Sequence, residues 1–397
     1  MMENLIFYIS LAVAMGIGML YFRDLGDVTQ MLLSVKRENM LRFIRHEYKF
    51  LAVGGAATLS MIVAHFTLGA GSPLLFWSAL VAILILYLFP YIWVHLGLRN
   101  QQNSARYYSI SEAREHIAPG APVVVIENNG IARAHPDGQI MHPHLAGNVE
   151  GLDGENVIMT YCAMANLGLG YIPELQGRVC ALEVLAQHGN NLIMRDNNTN
   201  EPIQQIYGRP YAENAGGAMQ PWPTFRMTFR SFQKAYPEGM VFLNRPSANP
   251  LLRLLDLATG MAFGAGILRQ HIEARPIMEN MTHHDDRLPS KTYVWGVDIG
   301  EDAVCYTQDF LVEHGNLVNT RIGGRDIVFA WDPIYESLGA WYNDSGNAVT
   351  RIDFFGDSDQ GKLARVERLK AGLFWHVWSE FYPNTDINRA AAESQAA

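Results

Sequence analysis

The sequence predicts an α+β protein in which N-terminal transmembrane helices precede a strand-rich soluble domain made of two duplicated units. Three observations predict it. Apolar residues concentrate in about the first hundred positions; short β-branched and aromatic runs punctuated by Gly, Pro, Asn and Asp follow from about residue 105; and one block of that pattern recurs about 170 residues later. The limits that follow are 1–100 for a membrane anchor of about three helices, 105–245 for a first soluble repeat, 246–290 for an inter-repeat helix and linker, and 291–389 for a second repeat.

The anchor comes first. Leu5 to Phe22 is an uncharged, mostly apolar run long enough to cross a bilayer. It has no basic start and no clear small-residue cleavage site, so it reads as a retained helix and not a signal peptide. Phe50–Leu68 and Pro73–Leu98 are two further runs, separated by a short Gly-Ala-Gly-Ser turn that permits only a helical hairpin. Trp77, Tyr87, Tyr91 and Trp93 supply interfacial aromatics. Lys36, Arg37, Arg42, Arg45 and Lys49 lie between the first two runs, while no Lys or Arg precedes the first. The Lys/Arg count therefore places that loop in the cytoplasm and, after three crossings, the soluble domain with it; Arg99 and Arg106 agree. The lipid bilayer is thus the first expected partner.

The chain is 49% hydrophobic and 17% charged, with a net charge of −9. No Lys/Arg cluster outside the membrane-flanking loop could track phosphates, so nucleic acid is excluded as a partner. Cys162, Cys180 and Cys305 are too few and too scattered for a disulfide framework or a CxxC zinc site, although one bridge between distant positions stays open.

The duplication rests on laying Gly130–Tyr171 over Gly300–Trp341: strand, turn, strand, a connector at His144 or His314, a glycine turn at Gly154 or Gly324, and a buried strand. The aromatic segment Phe229–Phe242 echoes Phe374–Ile387, each containing a Tyr-Pro. Between the copies, Asn249–Glu273 reads as one helix, buried between the units or lying on the membrane surface. The polar tail Ala390–Ala397 is expected to fray.

Chemistry concentrates in the first copy. The turn at Gly154 returns Cys162 and Met164 towards the connector holding His142 and His144. Imidazole, thiolate and thioether together suit copper, and thiolate with imidazole suits zinc. A Cys–His pair is also the minimal activated thiolate. The bland reading is a buried Cys and Met beside solvated histidines. The second copy has Asp332 in place of Cys162. His283, His284, Asp285 and Asp286 form another ligand-rich run in a polar linker, which more often marks an exposed loop. P-loop, dinucleotide glycine, HExxH and GxSxG patterns are absent, so nucleotide hydrolysis and the common hydrolase chemistries have no support.

On VIMTYCAMANLG, LIMRDNNTNEPIQQIYG, RLPSKTYVWGVDIGEDAVCYTQDFLVEHGNLVNTRIGGRDIVFAWD and FWHVWSEFYPNT, residues 105–388 resemble a bacterial and archaeal family described only as domain of unknown function 3179. The resemblance carries over Thr160, Tyr161, Cys162, Gln205 and Gly208. This chain departs from it at Ala163, Met164 and Ala165, where relatives have Pro, Leu and often a second Cys, and at Leu145, where they have an acid. Relatives look exported or lipid-anchored, which implies an extracytoplasmic soluble domain, against the Lys/Arg count. A three-helix anchor exceeds what tethering needs, and the cluster Gly54, Gly55, Ala56, Ala57 offers a surface for other integral membrane subunits. Three functions compete: a binding or accessory subunit of a larger complex in the cell membrane, favoured; a copper, zinc or thiol-redox protein centred on Cys162; and a scaffold with no site.

Overall fold

The computed structural model describes residues 2–25, 35–98, 100–211, 217–272 and 281–389. Arg99 and the tail Ala390–Ala397 lie outside the described residues. The three apolar runs form helices α1 (Met2–Leu25), α2 (Arg37–Leu68) and α3 (Pro73–Tyr91), the last continuing as a π-helical turn, Ile92–Gly97. All three are long and apolar enough to cross a bilayer, and they fit a membrane anchor. The hairpin between α2 and α3 is built by local chemistry. Gly69 takes the left-handed conformation (φ 62°) that ends α2, and the Ala70 N–H returns to the Ala64 carbonyl at 3.2 Å. Ser72 Oγ then accepts the Leu75 N–H at 3.3 Å and Pro73 opens α3.

The second helix begins at Arg37, well before the Phe50 start expected from hydropathy. Its first part, read from the sequence as a basic loop, is amphipathic: Met40, Leu41, Phe43, Ile44 and Glu47 are buried, and the helix kinks at His46 (φ −121°, ψ 16°). That buried face meets the soluble domain, and Arg45 reaches Glu201 at 3.2 Å. At the opposite end of the anchor, the Gly71 N–H donates to Asn4 Oδ1 at 3.2 Å. The basic segment and the soluble domain therefore share one end of the helix bundle. Inside it, Tyr87 fills the space over Gly54, where a Cβ would collide with the ring, and donates its hydroxyl to the Ala14 carbonyl at 2.9 Å. Gly54 is thus used within the anchor; a Cβ on Gly55 would meet nothing within 4 Å.

The soluble domain is strand-rich, as the short alternating runs predict. Its first half holds a five-stranded sheet in the order Tyr107–Ser109, Met240–Phe242, Ile131–Pro136, Pro122–Asn128, Thr224–Thr228. The central hairpin turns at Asn129–Gly130, both at positive φ, and only Met240–Phe242 runs parallel to its hairpin neighbour. In the second half the order is Lys370–Phe374, Tyr293–Ile299, Asp302–Tyr306, Asp386–Ile387, again with only the last pair parallel. In each half a seven-residue helix, Phe229–Ala235 or Trp375–Phe381, carries the chain from the antiparallel outer strand towards the parallel one.

Each hairpin is followed by a meander: Leu145–Ala146, Ile158–Cys162 and Leu167–Ile172 in the first half, and Leu317–Ile322, Arg325–Asp332 and Ser337–Tyr342 in the second. The tight turns closing these meanders hold Asn166 (φ 54°) and Glu336 (φ 49°) in the same left-handed conformation. The two turns make reciprocal contacts. Asn166 Nδ2 donates to the Gly372 carbonyl at 2.7 Å in the second half, while Glu336 Oε2 accepts from Thr228 Oγ1 at 2.6 Å in the first. One core crosses between them, taking in Tyr161, Cys162 and Met194 from one side and Val294, Trp375 and Trp378 from the other.

Between the first meander and the Thr224–Thr228 strand lies a second four-stranded sheet, Leu182–His188, Asn191–Asp196, Glu201–Gln204 and Arg209–Pro210. Leu185, Ala186 and Ile193 from it pack with Tyr21, Met40, Phe43 and Val94 of the anchor. The Pro250–Ile272 helix is not enclosed between the halves: Asp256 and Thr259 face inward, while Leu251, Leu254, Leu257 and Met261 are each at least 60% exposed.

Candidate functional site

The strand Ile158–Cys162 is completely buried and pairs on one side with Leu167–Ile172 and on the other with Leu145–Ala146. Just before that second pairing, His144 takes φ 60° and its carbonyl accepts the Tyr161 N–H at 2.7 Å, which sets the histidine beside the end of the strand. His144, Cys162 and Met164 line one small cavity of about 30 Å³, closed by Leu98, Gln187 and Leu192. That is room for one ion or one water. Three of the four residues singled out from the sequence therefore meet. His142 does not: its Nε2 lies 2.8 Å from the Gly97 carbonyl and 2.7 Å from Thr259 Oγ1, and its Nδ1 faces Asn244 Nδ2 at 3.3 Å. Pro143 and the left-handed turn at His144 separate the two residues along the chain, and His142 is not part of the cavity wall.

The cavity is braced by buried polar groups. Cys162 Sγ sits 3.6 Å from the Asn190 carbonyl. Gln205 donates to Thr160 Oγ1 and to the Leu167 carbonyl, each at 3.1 Å, and accepts from Asn191 Nδ2 at 2.9 Å. Burial, with a smaller push from His142, drives the His144 pKa down to about 3, so its imidazole is neutral near pH 7 and keeps the lone pair a metal needs. Among the described residues no three His, Cys, Asp or Glu side chains gather as a metal cluster, so a third protein ligand here would be the Met164 thioether. Cys162, Cys180 and Cys305 are all buried, and burial raises Cys180 to about 11. The run His283–Asp286 lines an open surface hollow; Arg287 occupies the Asp285 carboxylate at 2.6 Å and holds it below the usual range.

A second constellation joins anchor and domain. Arg195, on the Asn191–Asp196 strand, donates to Glu47 Oε2 at 2.5 Å and to Glu183 Oε2 at 2.9 Å. His95, in the turn after α3, closes the ring with Nε2 2.7 Å from Glu47 Oε1 and Nδ1 2.6 Å from Glu183 Oε1. Tyr21 donates to Glu47 Oε1 at 2.9 Å. Both His95 nitrogens must carry protons for both contacts to be hydrogen bonds, so two cations balance two carboxylates. Burial alone would raise the Glu183 pKa, but His95 and Arg195 outweigh it and hold it below the usual range. Sequence reasoning missed this ring. Its only signals were Glu47, one of two acids among the basic residues before Phe50, and a histidine near the end of an apolar run.

A concavity of about 690 Å³ lies between the halves. Tyr171, Tyr207 and Arg209 line it from the first half, and Asp298, Arg368 and Tyr382 from the second. Lys370 pairs with Asp298 at its base, and Arg368 is 48% exposed. The volume suits a small molecule, and the lining offers stacking faces with charges of both signs.

The profile of a family described as a protein of unknown function, DUF3179, matches residues 101–385. The chain belongs to that family. The match takes in both halves of the soluble domain, the cavity at Cys162 and the cleft, and leaves the anchor outside it. No curated protein and no solved structure matches the chain.

Proposed function

We propose that this DUF3179 protein is a membrane-anchored binding or accessory subunit of a larger complex in the cell membrane, with the cleft between the halves receiving its ligand. The observation that carries the reading is that cleft: about 690 Å³, lined from both halves by tyrosines, arginines and two acids, with no nucleophile–base pair among its described residues. An internal duplication accounts for such a seat. The repeated strand scheme, the matching left-handed turns at Asn166 and Glu336, and their reciprocal contacts support it, because two copies facing each other leave a shared groove. The anchor suits a complex, since many apolar side chains on its helices stay exposed, among them Val53, Leu59 and Val81.

The soluble domain belongs on the cytoplasmic face in this reading. Lys36, Arg37, Arg42 and Lys49 sit at its end of the bundle, and positive residues favour that side. A cysteine introduced at the exposed Asp344 stays unlabelled by an impermeant maleimide added to intact cells; labelling there would reverse the assignment.

A second reading is favoured by one observation, the meeting of His144, Cys162 and Met164 at one ion-sized cavity. It makes the protein a soft-metal carrier for copper or zinc, or a thiol-redox protein, with His142 serving instead to brace the junction with the anchor. One preparation separates the two. After gentle detergent extraction of the full chain, stoichiometric membrane partners without metal are expected. A stoichiometric metal that disappears in Cys162→Ser would replace the first reading with the second.

A further inference from the structure

The Pro250–Ile272 helix packs by its middle against the end of the anchor. Thr259 lies so close to Gly97, the last residue of the π-helical turn, that a Cβ on Gly97 would stand 2.7 Å from the threonine methyl. His142 locks the same junction. The helix is therefore held level with the end of the third apolar span. Its opposite side carries Leu251, Leu254, Leu257 and Met261, exposed by 68, 63, 60 and 64%. At 100° per residue these four fall within about a third of the helix circumference, an unpartnered apolar face. The helix thereby abuts the end of a span whose own apolar side chains stay exposed as far as Leu96.

Beside the start of the helix is a hollow of about 540 Å³ lined by Arg106, Arg245, Arg253, Ser104 and Ser247, with no carboxylate among the described residues of its wall. Arg245 also contacts His116 at 3.0 Å and lies within electrostatic reach of Glu112; Asp256 is buried and accepts the Ser247 N–H at 2.7 Å. The three arginines are exposed. A net-acidic protein has thus gathered three cations beside an apolar helix face at the level where its anchor ends.

We propose that the Pro250–Ile272 helix lies in the surface of the bilayer that holds the anchor, and that the hollow at its start takes the phosphate of an anionic phospholipid. The acyl chains run along Leu251, Leu254 and Leu257, and the phosphate accepts hydrogen bonds from Arg106, Arg245 and Arg253. Contact with the end of an exposed apolar span selects a lipid over a protein partner. The absence of acids from the wall selects an anionic headgroup over a zwitterionic one.

The test uses the full chain in nanodiscs of phosphatidylcholine with phosphatidylglycerol. An environment-sensitive fluorophore at Leu254→Cys is compared with Leu96→Cys on the third span and Asp344→Cys on the soluble surface; Cys162, Cys180 and Cys305 are buried. Quenching by a spin-labelled lipid matches that of Leu96→Cys if the helix is in the bilayer surface, and matches that of Asp344→Cys if the proposal is wrong. Native mass spectrometry then reads retained lipid. Phosphatidylglycerol is retained over phosphatidylcholine, and each of Arg106→Gln, Arg245→Gln and Arg253→Gln weakens retention by about fivefold. Equal retention of the two lipids overturns the anionic headgroup, and displacement of phosphatidylglycerol by millimolar inorganic phosphate assigns the hollow to free phosphate instead.

Discussion

Arg195→Met destabilises the junction between anchor and soluble domain by about 3–5 kcal/mol, the cost of breaking a buried ion pair from one side. Neither Arg195 nor Glu47 exposes any side-chain surface, so the carboxylate left behind has no water to turn to. Glu183 loses the same cation. Arg195→Lys recovers only part of the loss, because an ammonium cannot present two parallel donors to two carboxylates. The double variant Glu47→Gln with Arg195→Met removes a charge of each sign and is less damaged than the sum of the single changes. Denaturant midpoints in detergent, with maleimide access to the three buried thiols as a second readout, measure this. An Arg195→Met midpoint equal to that of the unaltered chain would show that the ring contributes nothing.

The same ring shows where sequence reading stops. Length and hydropathy were enough for three membrane-length helices, and glycine and asparagine punctuation was enough for a strand-rich domain. The start of α2 was not legible, because Met40, Leu41, Phe43 and Ile44 are buried by the Leu182–His188 and Asn191–Asp196 strands, and a partner more than a hundred residues away leaves no mark on local hydropathy. Glu47, His95, Glu183 and Arg195 are spread across two helices and two strands for the same reason. The meeting of His144 with Cys162 was legible because both flank one strand that a short turn folds back on its neighbour. The divergence of His142 was not, since it depends on the left-handed backbone at His144, a conformation uncommon outside glycine and asparagine. Gln205, marked only by the family resemblance, proves to be a brace between strands around that cavity.

A rigid junction gives the reciprocal architecture a consequence. The ring and the His142–Gly97 contact fix the first half to the anchor at two places, one at the Leu182–His188 sheet and one at the Pro250–Ile272 helix. Among the described contacts the second half is held chiefly through the first, by the shared core and by the turns at Asn166 and Glu336. The cleft therefore has one wall tied to the three apolar helices and, among the described contacts, one wall tied chiefly to its neighbour.

Acidification from pH 7 to pH 5 lowers the folding stability by about 4 kcal/mol through two buried histidines, at about 2 kcal/mol each. Burial drives the His135 pKa down to about 3 and that of His376 to about 4, from an ordinary value of 6.5. Burial keeps both rings neutral, against the pull of their carbonyl partners towards the protonated form. His135 Nδ1 faces the Val124 carbonyl at 3.3 Å while Tyr107 Oη lies 3.0 Å from Nε2. His376 Nδ1 donates to the Ser290 carbonyl at 2.7 Å, and its Nε2 has no hydrogen-bond partner among the described residues. The sign follows from proton counting: below 6.5 the unfolded chain binds protons that the folded chain refuses, so stability is whole above that value and is lost progressively as pH falls towards 4 and 3. His144 and His188, also shifted down by burial, act in the same direction. The exposed-side carboxylates Glu336 and Asp359, held at about 2 by their hydrogen bonds, lose their contribution only at lower pH, which separates the two effects. Guanidinium midpoints at half-unit steps between pH 7 and 5 give the slope. His135→Gln and His376→Gln should each flatten it by about 1 kcal/mol per pH unit on average between pH 7 and 5, and a slope unchanged by both would mean that these rings are already charged in the folded protein.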